Sequence, residues 1–492
     1  MFTAYTADQI RAAEHALMAT LPEGTLMLRA ATGLAAVCAA ALPRVYGSRV
    51  ALLVGSGDNG GDALYAGADL ARRGAAVTAV LAGSRTHEAG LAALLRAGGR
   101  ATRASGGAGG VRRVVEGADL IVDGLVGIGA AGALREPYAG LAEMAGDAAA
   151  PVVAVDVPSG VDASTGRVEG AAVRAAVTVT MGARKTGLLV DPGAARAGRV
   201  ELIDIGLGPY LPDPDVTALT RASAPGLLPR PGAESDKYRR GVVGIAAGSD
   251  LYTGAAVLAV GGALNAGAGM VRYAGPAGPA GQVRARWPEA VVTVLDEPTL
   301  DEVGRVQAWV VGPGIGTGPW ARELVRRVLA TDVPVLVDAD GLTLVAQDAA
   351  VLRRTAPVLI TPHAGELARL TGAARAGIEA APLRHARAAA AELGVTVLLK
   401  GSTTVVAEEG APARVNVTGT PWLATGGTGD VLSGIAGSLL AQGLGARDAG
   451  SLAAYLHGLA GRLAADGAPL TAAGVAETLP TAIRTLYGRA PA

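Results

Sequence analysis

The feature that most constrains this chain is a recurring one. A short apolar run breaks directly into a polar, glycine-rich loop, and a segment of helical spacing follows. Residues 49–55 (RVALLVG) open into 55–62 (GSGDNGGD), a helix is expected from about residue 63 to 73, and another strand at 76–81. That is a βαβ unit, which implies parallel strands. Ahead of it, 6–20 and 25–42 carry helical spacing. Further apolar runs at 119–124, 151–156 and 176–182 continue the alternation. Parallel sheets collect ligand sites at the carboxyl ends of their strands. Asn59, Asp123, Asp156, Ser159 and Lys185 all fall at such ends. Each alone would serve as a turn or cap residue, but their repetition along one edge predicts a site.

Gly55, Gly57 and Gly60 formally fit G-x-G-x-x-G, a weak signal. Asp58 and Asp62 place two charges in that turn, and the next strand ends in Gly83-Ser-Arg85 rather than in an acid for a ribose hydroxyl. A redox-dinucleotide fingerprint therefore fits poorly. The oxygens of Asn59 and the two acids suit a hard cation or ligand hydroxyls; a solvated tight turn is the plain alternative.

The second half repeats the logic around a stronger motif. Residues 424–430 (ATGGTGD) lead into an apolar helical run to Gly443. A glycine-rich turn at a helix N-terminus offers free N–H groups and the positive end of the dipole, so it attracts phosphate. A carboxylate there, Asp430, repels phosphate unless it takes a proton from the attacking group, a role contributing roughly 10²–10⁴-fold in rate; a helix cap is the alternative. Strands expected at 242–249, 270–274, 307–312, 334–338, 358–361 and 395–400 end in polar loops. These contain Gly314, Asp340, His363 and the run Lys400, Gly401, Ser402, Thr403 and Thr404. His363 follows Thr-Pro and suits either substrate contact or capping. Between the halves, the Pro-rich stretch 209–232 lacks periodicity and reads as a linker. The expected division is therefore 1–208, 209–232 and 233–492.

Length alone, 492 residues, suggests about three domains at ~150 residues each. Lys and Arg number 43 against 43 Asp and Glu, and no basic tract occurs. Neither nucleic acid nor an anionic membrane is implied as a partner. The single cysteine, Cys38, excludes an intrachain disulfide and suits a reducing cytosol. The first 20 residues lack the layout of a signal peptide, and no apolar run reaches 18 residues, so a cytoplasmic protein is expected. Lysine is scarce: only Lys185, Lys237 and Lys400 stand among the many arginines. A lysine kept in such a composition is a candidate for chemistry needing a compact ammonium.

The motifs GSGDNGGD, GLVGIGAAG, DVPSGVDASTG and MGARKTGL, covering residues 1–208, resemble the N-terminal domain of bifunctional NAD(P)H-hydrate repair enzymes, an NAD(P)HX epimerase of Rossmann-like, three-layer fold. The resemblance implies that Asp58, Asn59, Gly60, Gly61 and Asp62, together with Gly127, Ile128, Gly129, Ala130, Ala131, Gly132 and Ala133, bind the damaged nucleotide. It implies potassium near Asn59, Asp123 and Ser159, and Asp156 as substrate contact and acid/base. The family usually reads N-N-G-G-D-G where this chain has Asp58 and Ala63. From residue 235 to 443, DKYRRG, AGS with YTGAA, GPGIG, DADGL, TPHAGELARL, LLKGSTT and NVTGTPWLATGGTGDVLSG resemble the ADP-dependent NAD(P)HX dehydratase, a ribokinase-like α/β/α domain. Asp236 stands where that family usually has His.

The implied chemistry is phosphorylation of the ring hydroxyl of hydrated NADH or NADPH by ADP, or ATP in some relatives, followed by loss of phosphate. Asp430 is then the base and Gly426, Gly427, Thr428 and Gly429 the anion hole. Lys400, Gly401, Ser402, Thr403, Thr404 and Gly429 hold the nucleotide, and Ala247, Gly314 and His363 contact the hydrate. Magnesium is expected on the phosphates, and a homo-oligomer is expected because multimers are common in the family. The rival readings are a ribokinase-like small-molecule kinase and a non-catalytic nucleotide-binding module in the N-terminal part.

Overall fold

Residues 1–105, 108–130 and 132–488 are described by the computed structural model. They form two compact units: residues 3–216, and residues 217–492 together with 1–2.

In the first unit seven strands lie in the order Arg100–Arg103, Ala76–Leu81, Arg49–Val54, Leu120–Gly124, Val152–Val155, Val177–Met181, Arg199–Ile203. Every pairing is parallel. The central strands are near-continuous Val, Leu, Ile and Ala because both faces are covered. Ile10, Leu34 and Leu64 from three helices cover one face; Val111, Val115, Leu141 and Ala145 from two others cover the second. The chain runs outward from Arg49–Val54 in one direction and returns to its other side at Leu120–Gly124. The switch point, where a ligand crevice is expected, therefore lies between the strand ends that carry Asn59 and Asp123.

In the second unit the order is Val291–Val294, Met270–Gly275, Val242–Ala246, Ala308–Val311, Val335–Val337, Val358–Ile360, Thr396–Leu399, then Thr404–Ala407 and Ala413–Asn416. Pairing is parallel up to Thr396–Leu399 and antiparallel beyond it. Helices Thr253–Asn265, Thr428–Ala441, Ala446–Ala465 and Ala472–Leu486 build the main core with the sheet. Two of them touch through glycines. A Cβ on Gly434 would lie 2.0 Å from the Ala259 carbonyl oxygen, and one on Gly262 would lie 2.4 Å from that of Val431.

Three expectations need correction. The helix placed at 63–73 spans Asp58–Arg72, so the glycine-rich stretch forms its first turns rather than a loop. The glycines are there for proximity: a Cβ on Gly60 would meet the Gly55 carbonyl oxygen at 2.4 Å. The stretch 209–232 contains the strand Val216–Ala218, and Leu219, Ala224 and Leu228 are buried in the second unit's core. Strands Arg100–Arg103, Arg199–Ile203 and Val291–Val294 and the hairpin at 404–416 were not expected; at four or five residues each they give too short a pattern to read.

Candidate active sites

At the first unit's switch point, Asp123 is fully buried. Its carboxylate accepts from the Ser159 N–H at 2.8 Å, the Ser159 Oγ–H at 2.7 Å and the Leu125 N–H at 3.3 Å. Burial pushes its pKa up to about 6 against those three donors. Asn59, in the first turn of the helix, donates from Nδ2 to the carbonyls of Val126 (3.1 Å) and Val155 (2.7 Å). Ser159 Oγ is also 3.3 Å from the Val126 carbonyl oxygen. Carboxylate, hydroxyl and carbonyl oxygens thus converge, a donor set that fits a hard cation.

Beside them sits a second constellation. Asp156 ends the strand Val152–Val155 with φ of +68°, a left-handed backbone that costs a non-glycine residue about 1–3 kcal/mol. Its Oδ1 accepts from the Met181 N–H at 3.0 Å and the Thr180 hydroxyl at 3.3 Å, and it pairs with the fully buried Lys185. Lys185 also donates to the Met181 carbonyl at 2.9 Å. Asp62 lies buried within this group, and its Oδ1 has no hydrogen-bond partner among the described residues. Burial, with the charges of Asp156, Asp58 and Glu14, raises its pKa well above the usual carboxylate range. Two carboxyls, one in an ion pair and one forced toward its neutral form, are an arrangement suited to acid/base work.

Gly127, Gly129, Ala130 and Gly132 occupy the loop after Leu120–Gly124. Gly127 is pressed against Asn59, whose Oδ1 would lie 2.3 Å from a Cβ there. Ile128 packs on the core of the helical face, and Ala133 lies 3.3 Å from the Cβ position of Gly170. Ala131 lies outside the described residues.

In the second unit the glycine turn does precede a helix, Thr428–Ala441, with Gly427 as N-cap at φ +87°. Among the described residues no side chain caps this helix, and Asp430 lies inside its first turn rather than at the cap. Asp430 sits in the first turn beside the open N–H groups. Burial and the neighbouring Asp338 and Asp340 push its pKa up to about 7, against the opposing pull of Lys400. Lys400 is 2.8 Å from Asp338 and 3.7 Å from Glu366. Burial lowers its pKa, but Asp338, Glu366 and Asp430 outweigh this and hold it above the ordinary value.

His363 does cap a helix: its Nδ1 accepts from the N–H groups of Gly365 (2.9 Å) and Glu366 (3.2 Å), while Glu366 accepts from the His363 N–H at 2.7 Å. This reciprocal box fixes the ring and leaves its side chain half exposed. Burial, with the nearby cations, lowers its pKa. Gly316 N–H bonds Asp340 at 2.9 Å, and Gly248 N–H bonds the Pro313 carbonyl at 2.8 Å, bringing the loops of Gly314 and Ala247 together. The Ala247 carbonyl is taken by the Tyr273 hydroxyl at 2.8 Å. Gly401 and Ser402 are exposed in the turn after Lys400, with Thr403 buried and Thr404 opening the next strand. The sequence reading passed over Asp338, Glu366 and Ser433 here, and Glu14 and Thr180 in the first unit. Glu366 was legible as the third residue after a cap; the others meet the site only through tertiary packing.

A family model described as NAD(P)H-hydrate dehydratase matches residues 243–481, and one described as YjeF-related protein N-terminus matches residues 23–187. The bifunctional NAD(P)H-hydrate repair enzyme Nnr of Mycobacterium tuberculosis (strain H37Rv) is 49% identical over 446 residues, 89% of each chain. The chain belongs to the NAD(P)H-hydrate repair enzyme family. The Mycobacterium leprae (strain TN) member is 46% identical over 488 residues, 98% of each chain. Among solved structures, a ribokinase-like superfamily protein from Enterococcus faecalis V583 matches with a TM-score of 0.52 and 28% identity, over 55% of this chain and 96% of that one.

Two departures from the repair-enzyme pattern have structural explanations. Ala63 is buried in the interior of a regular helix, where glycine would be about 1 kcal/mol worse. Asp236 accepts from the N–H groups of Tyr238 (2.7 Å) and Arg239 (2.9 Å), closing an exposed turn around Lys237.

Proposed function

We propose that this chain returns hydrated NADH and NADPH to their active forms. Residues 1–208 interconvert the two epimers of NAD(P)HX, and residues 233–492 dehydrate the S epimer at the expense of ADP, or of ATP as in some relatives. The observation that carries the reading is Asp430, a carboxylate of near-neutral pKa in the first turn of an uncapped, glycine-led helix. It takes the proton of the ring hydroxyl as that oxygen attacks the terminal phosphoryl group. The N–H groups from Gly426 to Gly429 face the charge that develops, and one such donor is worth ~2.7–4 kcal/mol. The nucleotide is held by Lys400, by the turn from Gly401 to Thr404 and by Gly429; magnesium, when bound, would neutralise charge on its phosphates. Ala247, Gly314 and His363 place the hydrate. In the first unit Asp156 exchanges a proton with the substrate, which the loops 58–62 and 127–133 hold.

The test is recovery of reduced-nicotinamide absorbance from a mixed-epimer hydrate, with ADP and ATP in parallel. Complete conversion, faster than spontaneous epimerisation, is the expected result; no conversion with either nucleotide would refute the reading.

Potassium belongs to the same proposal, held by Asp123, Ser159 and Asn59 with the Val126 carbonyl. KCl is expected to raise the melting temperature above that in choline chloride of equal ionic strength, since a ligand that binds only the folded state stabilises it. The Asp123→Asn variant is expected to lose that increment in the same thermal scan. The reading also includes a cytoplasmic homo-oligomer, which light scattering on the purified chain tests.

A further inference from the structure

Among the large apolar side chains that the second unit leaves exposed, Trp422 is placed unusually. It is 42% exposed and lies in the loop 416–425, which runs from the strand Ala413–Asn416 to the anion-hole turn. This loop borders both turns that hold the nucleotide. On one side Asn416 pairs with Thr404, and a Cβ on Gly419 would lie 3.6 Å from the Ser402 carbonyl oxygen. On the other side the Thr425 hydroxyl donates to the Trp422 carbonyl at 3.0 Å, and the Thr428 hydroxyl donates to the Leu423 carbonyl at 2.8 Å. Trp422 therefore stands where the chain passes from the turn 401–404 to the glycines at 426–429.

The loop is held firmly by the helix Ala446–Ala465. The Asn416 amide donates to the Ala454 carbonyl at 2.9 Å, and the Thr418 hydroxyl donates to the Tyr455 carbonyl at 3.0 Å. Arg462 donates to the carbonyls of Val417 (2.9 Å) and Gly419 (3.1 Å). A Cβ on Gly461 would lie 2.7 Å from Leu423, so Leu423 packs directly on the helix backbone. The neighbours of Trp422 are thus fixed while its own side chain stays partly in water. An indole with two torsions on a fixed backbone offers a large flat face and loses little entropy when a ring settles on it.

We propose that Trp422 is the platform on which the purine base of the nucleotide stacks.

This rests on the dehydratase reading and deepens it. Lys400, the hydroxyls of the turn 401–404 and the N–H groups at 426–429 suit phosphates, and none of them recognises a base. A purine presents a π-face, and indole is the side chain with the largest face to match it. Phosphates lying on the two turns leave the base to project past them, along the loop that joins those turns. Stacking takes no account of the number of phosphates. The platform accordingly contributes equally to the binding of ADP and of ATP.

The test uses the full chain and the variants Trp422→Ala, Trp422→Leu and Trp422→Phe. Trp422→Ala is expected to raise the KM for ADP by about 5- to 150-fold, the effect of losing one base–aromatic stack. The KM for ATP rises by the same factor. Because the base is distant from the reacting atoms, kcat at saturating ADP and the KM for the hydrate stay within about twofold. Trp422→Phe keeps most of the affinity and Trp422→Leu does not. Inhibition by AMP weakens alongside ADP binding. Inhibition by pyrophosphate, which has the phosphates and no base, is the same in every variant.

An unchanged KM for ADP in Trp422→Ala would overturn the inference. So would a rise confined to the KM for the hydrate, which would put the hydrate's own rings on the indole. Weakened pyrophosphate inhibition with a lower kcat would also overturn it, by making Trp422 a support of the anion-hole turn. A wild-type chain that neither turns over nor binds ADP in a calorimetric titration removes the dehydratase reading and this inference together. ADP binding that is indifferent to residue 422 removes this inference alone.

Discussion

Asp430→Asn is expected to lose dehydration by roughly 10²–10⁴-fold in kcat, the contribution of a positioned general base, while epimerisation continues at the wild-type rate. The amide keeps the shape of the carboxylate but accepts no proton from the ring hydroxyl. Absorbance recovery with ADP reads the first activity, and the approach of a single purified epimer to its equilibrium mixture reads the second. Retained dehydration would refute the base assignment.

The acidity of Asp430 adds a stability prediction with a definite sign. Its pKa is raised from the ordinary 3.8 to about 7 in the folded chain. Between those values the unfolded state loses its proton first, so the folded state binds more protons and stability falls as pH rises. Below pH 4 both states are protonated and the group contributes nothing. Asp430→Asn is therefore expected to melt above the wild type at pH 8, with the gap closing by pH 4. The wild-type protein thus keeps a base that its fold disfavours, as active sites commonly do.

The second large effect is at Asp156. Asp156→Ala is expected to stop enzymatic epimerisation, so that conversion of a mixed-epimer hydrate stalls near the S half while dehydration of that half proceeds normally. The substitution also strands the buried Lys185, and breaking such a pair costs about 3–5 kcal/mol. The left-handed backbone at this position adds strain for alanine. Pairing the change with Lys185→Met removes the orphaned charge, and Asp156→Asn keeps the shape and the hydrogen bonds. An inactive first unit in all three folded variants supports the acid/base role. Loss of both activities in a folded variant would argue against independent sites.

Much of this architecture was legible before any coordinates. Strand ends carrying Asp123, Asp156 and Lys400 were readable because Val/Leu runs broke abruptly into polar loops. The glycine turn before Asp430 was readable because its helix is long and apolar. What the sequence hid was pairing. Lys185 stood out through scarcity, yet nothing local ties it to Asp156, 29 residues away. Lys400 meets Asp338 across 62 residues and Ser433 meets it across 95. Such bonds are fixed by sheet order, which single-strand patterns do not encode. The start of the Asp58–Arg72 helix was hidden for the opposite reason: Gly60 and Gly61 read locally as a turn, while the close approach of Gly60 to the Gly55 carbonyl demands a glycine within the helix.

The glycine contact between the helices Thr253–Asn265 and Thr428–Ala441 also bears on how the second unit works. One helix follows directly on the loop of Ala247 and Gly248, and the other begins at the anion hole. With backbone resting on backbone at Gly262 and Gly434, neither helix has a soft layer of side chains on which to slide. The alignment between the hydrate's cradle and the phosphoryl-accepting turn is accordingly a manufactured tolerance, set once when the chain folds. A methyl group added at either glycine would act as a shim, displacing Asp430 from its target without touching a single residue of the site, and a shift of about 1 Å in such a geometry is enough to cost on the order of 10²-fold in rate.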